Sequence, residues 1–528
     1  MDFATELARL NPDPAVAAWV LGQWASQDQA LAEQHVKLTK SDAQVRRQAR
    51  ELQAKDLKIQ ALVLELAQHK RIRFGQKLEA FSPEQADLFQ ESATVDGVAL
   101  LAELEQLAPA AATPKARPTG RKALPPELPR IEHRHEPESC ACGQCGRDLV
   151  KIGEDVSEQL DVEPARFFVH RHIRPQYACR GCDTVTAEPI PPAVIDGGLA
   201  APGLLAWVMV QKYLDHLPLY RIEQISTRQG VTIARSTLAE WVGRVGVALQ
   251  PLADRLAERL KQHAVLHADE TPVPLLDPGA GKTRRAYLWA YRSNRWDEGP
   301  PLILFEFQAS RSGKHAQTFL QGWRGHLMVD DYAGYKALFT TPDITELACW
   351  AHARRKFFDL YAANQHPTAA EALRRIGELY QIEQAGQALA SPERLQLRQQ
   401  QAQPKLAALQ HWLIDTRGNT ADGGGLAKAL DYSLRRWPAL IRYAASGHLP
   451  IDNNPIENAI RPIALGKKNW LFAGSERAGR RAAAIQSLLA TAKANHIEPL
   501  AWLTDTLQKL PTCPNNRIDD LLPLRADK

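Results

Sequence analysis

Between residues 26 and 73 the chain has neither Gly nor Pro, and Leu31, Leu38, Val45, Leu52, Ile59 and Leu66 recur every seventh position. A strict seven-residue apolar repeat drives a helix toward a partner in a left-handed supercoil. The second seam is weaker, since Gln34, Ser41, Gln48 and Lys55 occupy it before Leu62. The alternative is an amphipathic helix packed on its own protein. Residues 1–81 are read as an N-terminal helical, coiled-coil region that self-associates into a homo-oligomer.

The pattern is lost over residues 82–130, where PAAATPKARPTGRKALPPELPR is rich in Pro, Ala and basic residues. Such a stretch cannot bury a core and is expected to be an extended linker. Residues 131–190 combine strand-like runs such as ARFFVHRHI with cysteine pairs. Residues 191–260 carry apolar positions at helical spacing, and two helical patterns flank Gly230. They resemble a helix-turn-helix whose second helix could enter a major groove. A plain helical hairpin is the alternative.

From residue 261 the period changes again. AVLHAD, RRAYLWAYRS, PLILFEF, HLMVDD and ITELACW read as strands, with helical stretches between the later ones. Three strands followed by alternating helix and strand predict a mixed α/β sheet. Residues 365–448 read as a mostly helical insertion, so the unit runs over 261–495 and leaves a C-terminal helix and tail at 496–528. The expected fold class is multidomain α+β.

Composition narrows the function classes. The 528-residue chain is 45% hydrophobic and 24% charged, which suits several globular units. No apolar run is long enough to span a membrane, and the N-terminal residues do not read as a secretory signal, so the expected location is cytoplasmic. The formal net charge is only +5, but cations crowd into 461–493, at Arg461, Lys467, Lys468, Arg477, Arg480, Arg481 and Lys493. Five of the seven cysteines lie between 140 and 182. In a cytoplasmic chain that clustering favours metal over disulfides.

Three constellations carry chemistry. Asp269 in HADETPVPLL and Asp330 in VDDYAGY close apolar strands, and Glu457 in IDNNPIENAIRP opens a helix. Three separated carboxylates suit two Mg²⁺ ions, with Mn²⁺ as a substitute, and such a pair activates a nucleophile and stabilises the leaving oxygen of a phosphodiester. Taken singly, each reads equally well as a turn former, a helix cap or half of a surface ion pair. Glu270 and Asp331 are the rival ligands, and strand alternation points them to the opposite face.

Cys142 and Cys145, then Cys179 and Cys182, form two CxxC knuckles able to hold one structural zinc, with Cys140, His133 and His135 as substitute ligands. Finally, GKKNWLFAGSERAGRR at 466–481 interleaves cations with Trp470 and Phe472, and reads as a flexible, Gly-bounded tract. Arg461, Lys467, Lys468, Arg480 and Arg481 are candidate DNA contacts, joined by His352 and Arg355 from CWAHARRKF.

These stretches, together with RIRFGQKLEAF, GRKALPPELPR and AAIQSLLATAKANHIEPLAWL, resemble transposases of the insertion sequence 66 family. The resemblance implies a DDE transposase on an RNase H-like fold, with an N-terminal coiled coil and a zinc-binding domain. It places the three carboxylates on Asp269, Asp330 and Glu457. It implies terminal inverted repeats and target DNA as partners, and helper proteins of the same element. Asp331 stands where that family usually has Gly, which leaves Asp330 and Asp331 to be distinguished. Two other classes stay open: a DNA-binding regulator or domesticated transposase that does not cut, and a metal-dependent nuclease that hydrolyses without strand transfer.

Overall fold

The computed structural model describes residues 128–136, 150–163, 166–180, 184–277 and 282–525, together with Cys182 and isolated positions before 128. The chain divides into two compact units, residues 1–69 with 100–115 and residues 70–99 with 116–528. In the first unit, the described positions between 44 and 59 are helical. There Val45, Leu52 and Ile59 are 59%, 67% and 58% exposed. The other heptad positions, and most of the linker 82–130, lie outside the described residues.

The second unit opens with a small sheet, β1 (Arg130–Arg134), β2 (Val150–Glu163), β3 (Arg166–Ala178) and β4 (Val185–Thr186). β3 lies between β1 and β2, and β4 pairs with its C-terminal end. β2 and β3 form a long antiparallel ladder from Glu163↔Arg166 to Val150↔Ala178. Cys179 and Cys182 follow the far end of that ladder, while Cys142 and Cys145 lie outside the described residues. The register corrects one expectation. His133 is the strand partner of His172, seven residues before Cys179, or roughly 23 Å at strand rise. His133 and His135 therefore cannot stand in as ligands at the Cys179 knuckle. They pair with His170 and His172 instead, ring nitrogen to ring nitrogen at 2.7 and 2.9 Å.

Four helices follow: α1 (Pro202–Tyr213), α2 (Leu219–Arg228), α3 (Arg235–Ala248) and α4 (Gln250–Leu260). Gly230, at φ +82°, supplies the left-handed turn between α2 and α3. α3 buries Leu238, Ala239, Trp241, Val242, Val245 and Val247, and only its first turn and one stripe reach solvent. The first turn and that stripe, with Arg235, Ser236, Thr237, Glu240 and Arg244, are the part of α3 open to a partner.

The central sheet has the order β7-β6-β5-β8-β9. Its strands are β5 (Val265–Asp277), β6 (Lys282–Ser293), β7 (Ile303–Gln308), β8 (Gly325–Val329) and β9 (Ile344–Ala348). β5, β6 and β7 are antiparallel neighbours, whereas β8 and β9 run parallel to β5. A short helix α5 (Lys314–Phe319) connects β7 to β8. β5 is longer than its apolar run predicts. It continues past Asp269 as one arm of a hairpin with β6, pairing through Asp277↔Lys282.

After β9 come α6 (Trp350–Asn364), α7 (Pro367–Ala385), α8 (Ser391–Leu397), α9 (Gln403–Gly418), α10 (Gly425–Arg435) and α11 (Trp437–Ile441). These helices share a core with Val265, Met328, Leu347 and Ala348 of the sheet, in which Trp350 and Trp437 meet edge to face. Arg398, wholly buried, bonds Glu383 and the carbonyls of Tyr443 and Ser446, so its charge is paired where burial would otherwise be costly.

The chain then returns to the sheet. α12 (Asn454–Trp470) packs Ile456, Ile460 and Ile463 against Val273, Leu288 and Phe305. α13 (Glu476–Ala494) lies along the edge strand β7. Its Ser487 hydroxyl accepts the Phe305 N–H at 2.7 Å, and Thr491 Oγ1 accepts that of Ile303 at 3.1 Å. α14 (Pro499–Lys509) closes the fold. The expected flexible tract at 466–481 is thus a correction: it is the last turn of α12, a turn of five residues, and the first turns of α13.

Candidate active site

Asp269 lies on β5 and Asp330 directly follows β8. The parallel register Val265↔His326 and His267↔Met328, carried two residues on, sets the two carboxylates at the same level on neighbouring strands. The last paired residues are His267 and Met328, and both aspartates beyond them are partly buried. Glu457 comes from the first turn of α12, where Pro455 occupies a favoured early position. Asn453, wholly buried, fixes that helix start. Its Nδ2 donates to the Ala268 carbonyl at 2.9 Å, its Oδ1 meets His267 Nδ1 at 3.0 Å, and its N–H reaches Cys349 Sγ at 3.2 Å.

The electrostatics identify the focus. Burial, then the charge of Glu270, and further the charges of Asp330 and Glu457 push the Asp269 carboxyl up to about 8; the Glu270 N–H, 2.8 Å away, opposes this. Carboxylates gathered in a half-buried opening repel one another unless a cation joins them. The donors are all hard oxygens, so the set fits Mg²⁺ or Mn²⁺.

The neighbouring acids are otherwise engaged. Glu270 is buried between Arg311 Nε at 2.7 Å and the Tyr335 hydroxyl at 2.8 Å. Burial raises its carboxyl, against the pull of those two donors. Asp331 faces Arg436 at 2.5 Å and Lys336 at 3.1 Å, and Arg436 also holds Glu346 at 2.9 Å. Asp330 makes a different use of its oxygen, accepting the Tyr332 N–H at 2.8 Å. Glu270 and Asp331 are thus structural partners of arginines on either side of the opening.

On the α6 side, His352 Nδ1 lies 3.7 Å from Glu457 Oε1, and Arg355 Nη2 lies 4.0 Å from Oε2. Cys349, His352 and Glu457 have ligand atoms within 4.8 Å of one another. Burial pushes the Cys349 thiol up to about 12, and its sulfur already accepts the Asn453 N–H. A thiol so held is a poor metal ligand at neutral pH, so the oxygen set around Asp269 is the better cation site.

The basic residues separate into two groups. Arg461, Lys468 and Arg480 are exposed; Lys467 is partly buried and donates to the Pro272 carbonyl at 2.8 Å. Arg481 is a correction. It is only 4% exposed, packed against Gly246 of α3, and so is removed from the DNA-facing set. Sequence reasoning missed Asn453, Arg311 and Arg436. Asn453 had a signal, a polar residue just ahead of Asn-Pro at a helix start; the two arginines had none, because their partners are distant in the chain.

Comparison with known proteins adds family evidence. The model described as "Transposase IS66 family" matches residues 197–481, and the "zinc-finger binding domain of transposase IS66" matches 139–183. The "IS66 C-terminal element" matches 487–524, and "Transposase C of IS166 homeodomain" matches 61–132. Among curated proteins, the chain is 40% identical over 424 residues to the uncharacterized protein y4qI of Sinorhizobium fredii (strain NBRC 101917 / NGR234), covering 78% of each. Two more uncharacterized proteins of that strain are similar. y4jD is 37% identical over 412 residues, 76% of this chain and 81% of its own length. y4hP is 32% identical over 491 residues, 89% and 88% respectively.

Proposed function

The chain belongs to the IS66 transposase family, and we propose that it binds the terminal inverted repeats of a mobile element and carries out two-metal DNA cleavage and strand transfer. The observation that supports this is the level register of Asp269 and Asp330 on neighbouring strands, with the Asp269 carboxyl raised by burial and by the charges of Glu270, Asp330 and Glu457. The strand order, three antiparallel strands followed by two parallel ones, supports an RNase H-like sheet.

Asp269, Asp330 and Glu457 would hold two Mg²⁺ ions. When bound, these supply an activated water or DNA 3′-hydroxyl and stabilise the leaving oxygen. The rest falls to the protein. Asn453 holds α12 so that Glu457 meets the two aspartates. His352 and Arg355, beside Glu457, bind the phosphate oxygens at the reacting centre. Arg461, Lys468 and Arg480 track the DNA backbone further out, with Lys467 contributing where its bond to Pro272 permits. Glu270 anchors Arg311, which lies over the Tyr332 ring at 3.9 Å and stiffens the loop after Asp330.

Cys142, Cys145, Cys179 and Cys182 would hold one structural zinc. Residues 26–73 supply the homo-oligomer contact through the heptad seam, and helper proteins of the same element complete the machinery. The test is a cleavage and joined-product assay on DNA spanning an element end. Asp269→Asn, Asp330→Asn and Glu457→Gln are expected to bind that DNA and neither cut nor join it. Full activity in any of the three would overturn the assignment.

A further inference from the structure

A cleft of about 580 Å³ opens between α6 and α7 beside the first turn of α12. Its walls include Arg354, Arg355, Phe358, Gly377, Tyr380 and Asn454. The cleft adjoins the acidic opening. Arg355 lines it while standing 4.0 Å from Glu457, and Asn454 begins the helix that carries Glu457.

Three features suit it to a guest. Phe358 is 46% exposed, a large ring turned outward on the cleft wall with the Arg354 guanidinium 5.8 Å from its centroid. Arg354 forms no ion pair among the described residues. Gly377 sits in the middle of a nineteen-residue helix, where alanine is the better helix former. A Cβ built there meets nothing within 4 Å. No close packing accounts for this glycine, and its missing side chain leaves the cleft open at that point.

An exposed aromatic face and two guanidinium groups at one cleft match a nucleotide, with its base on the ring and its phosphate on an arginine. The volume lies within the roughly 300–1,000 Å³ range of small-ligand sites. A base can lie on the Phe358 ring only once it has left its stack on neighbouring bases. We propose that this cleft receives one unstacked nucleotide of the DNA strand next to the phosphate cut at Asp269, Asp330 and Glu457. The proposal rests on the transposase reading above and adds a binding subsite to it.

The test uses the full chain with Mg²⁺ and duplexes spanning an element end, either intact or with a single abasic residue at successive positions around the cut. Gly377→Leu fills the cleft, Phe358→Ala removes the ring, and Gly377→Ala gauges folding through its melting temperature. On intact DNA, Gly377→Leu and Phe358→Ala are expected to slow cleavage roughly tenfold, the scale of one lost base stack, with unchanged affinity. At one position beside the cut, an abasic residue is expected to restore Gly377→Leu to near the wild-type rate, since no base then needs the cleft. Wild-type cleavage by folded Gly377→Leu overturns the proposal, and so does a defect that no abasic position relieves. A wild-type protein that cuts none of these duplexes, either alone or with the helper proteins of its element, overturns the transposase reading itself, an outcome distinct from failure of the cleft alone.

Discussion

The imidazole of His267 and the carboxamide of Asn453, 186 residues apart in the chain, meet at 3.0 Å inside the core. Through this contact and the bond to Ala268, the start of α12 is fastened to β5 one and two residues before Asp269. Asn453→Ala leaves buried partners unsatisfied and is expected to cost about 2–4 kcal/mol of stability. Cleavage is expected to fall further than the folded fraction does. A variant that loses stability but keeps the wild-type rate per folded molecule would show that Asn453 does not position Glu457.

The same contact sets an acid limit. Burial holds the His267 ring down to about 4, below its ordinary 6.5, despite its bond to the Asn453 oxygen. The unfolded chain therefore binds a proton that the folded one refuses between those values. Stability is full above about pH 6.5 and is lost as pH falls toward 4, by up to about 3 kcal/mol for this group. Denaturant melts between pH 4 and 7 should show that slope, and it should flatten in His267→Gln.

Asp269 acts in the opposite sense. Its raised value means that the folded, cation-free protein binds the extra proton, so stability declines as pH rises from about 4 through 8. Mg²⁺ or Mn²⁺ is expected to reverse the decline, adding about 4 kcal/mol at a thousandfold excess over its Kd. The thermal shift on adding cation should grow between pH 6 and 8 and shrink sharply in Asp269→Asn. An equal shift in that variant would place the cation elsewhere.

Asp330 and Asp331 should part company on substitution. Asp331→Asn takes from Arg436 one of its two carboxylates, but Asp331 is exposed and Glu346 remains, so the expected cost is about 1 kcal/mol or less with cleavage retained. Asp330→Asn should abolish cleavage, also at little cost in stability. Melting curves and cleavage rates measured on both variants decide the matter, and the opposite pairing would exchange their roles.

Neutralising both Arg461 and Lys468 should weaken binding to all DNA alike and lower the salt slope by about 2, roughly one per phosphate contact. Arg481→Ala should leave the slope unchanged and lower the melting temperature, because that side chain is packed inside. A salt titration of binding by each variant separates surface contact from core packing.

The sequence was most readable where period or spacing is local. Each strand of the central sheet was visible as an apolar run, and Asp269, Asp330 and Glu457 stood at the ends of such runs or at a helix start. Glu270 and Asp331, the rival acids, are engaged by Arg311 and Arg436. Their partners were hidden, because Arg311 and Arg436 reach them across 41 and 105 residues with no shared pattern. Arg481 misled for a related reason. In a basic stretch, composition does not say which cation faces inward, and only the helical phase of α13 against α3 decides it. The length of β5 was obscured by Pro272 and Pro274, which the strand accommodates in its hairpin arm.

The covering of β7 by α13 has a consequence for synthesis. Ile303 receives its hydroxyl partner from Thr491, 188 residues later. A ribosome translating at about 5–20 residues per second makes that interval last roughly ten to forty seconds. Throughout it the nascent sheet presents a bare edge to other chains. Products that stop before α13 would keep that edge permanently and are expected to aggregate through it.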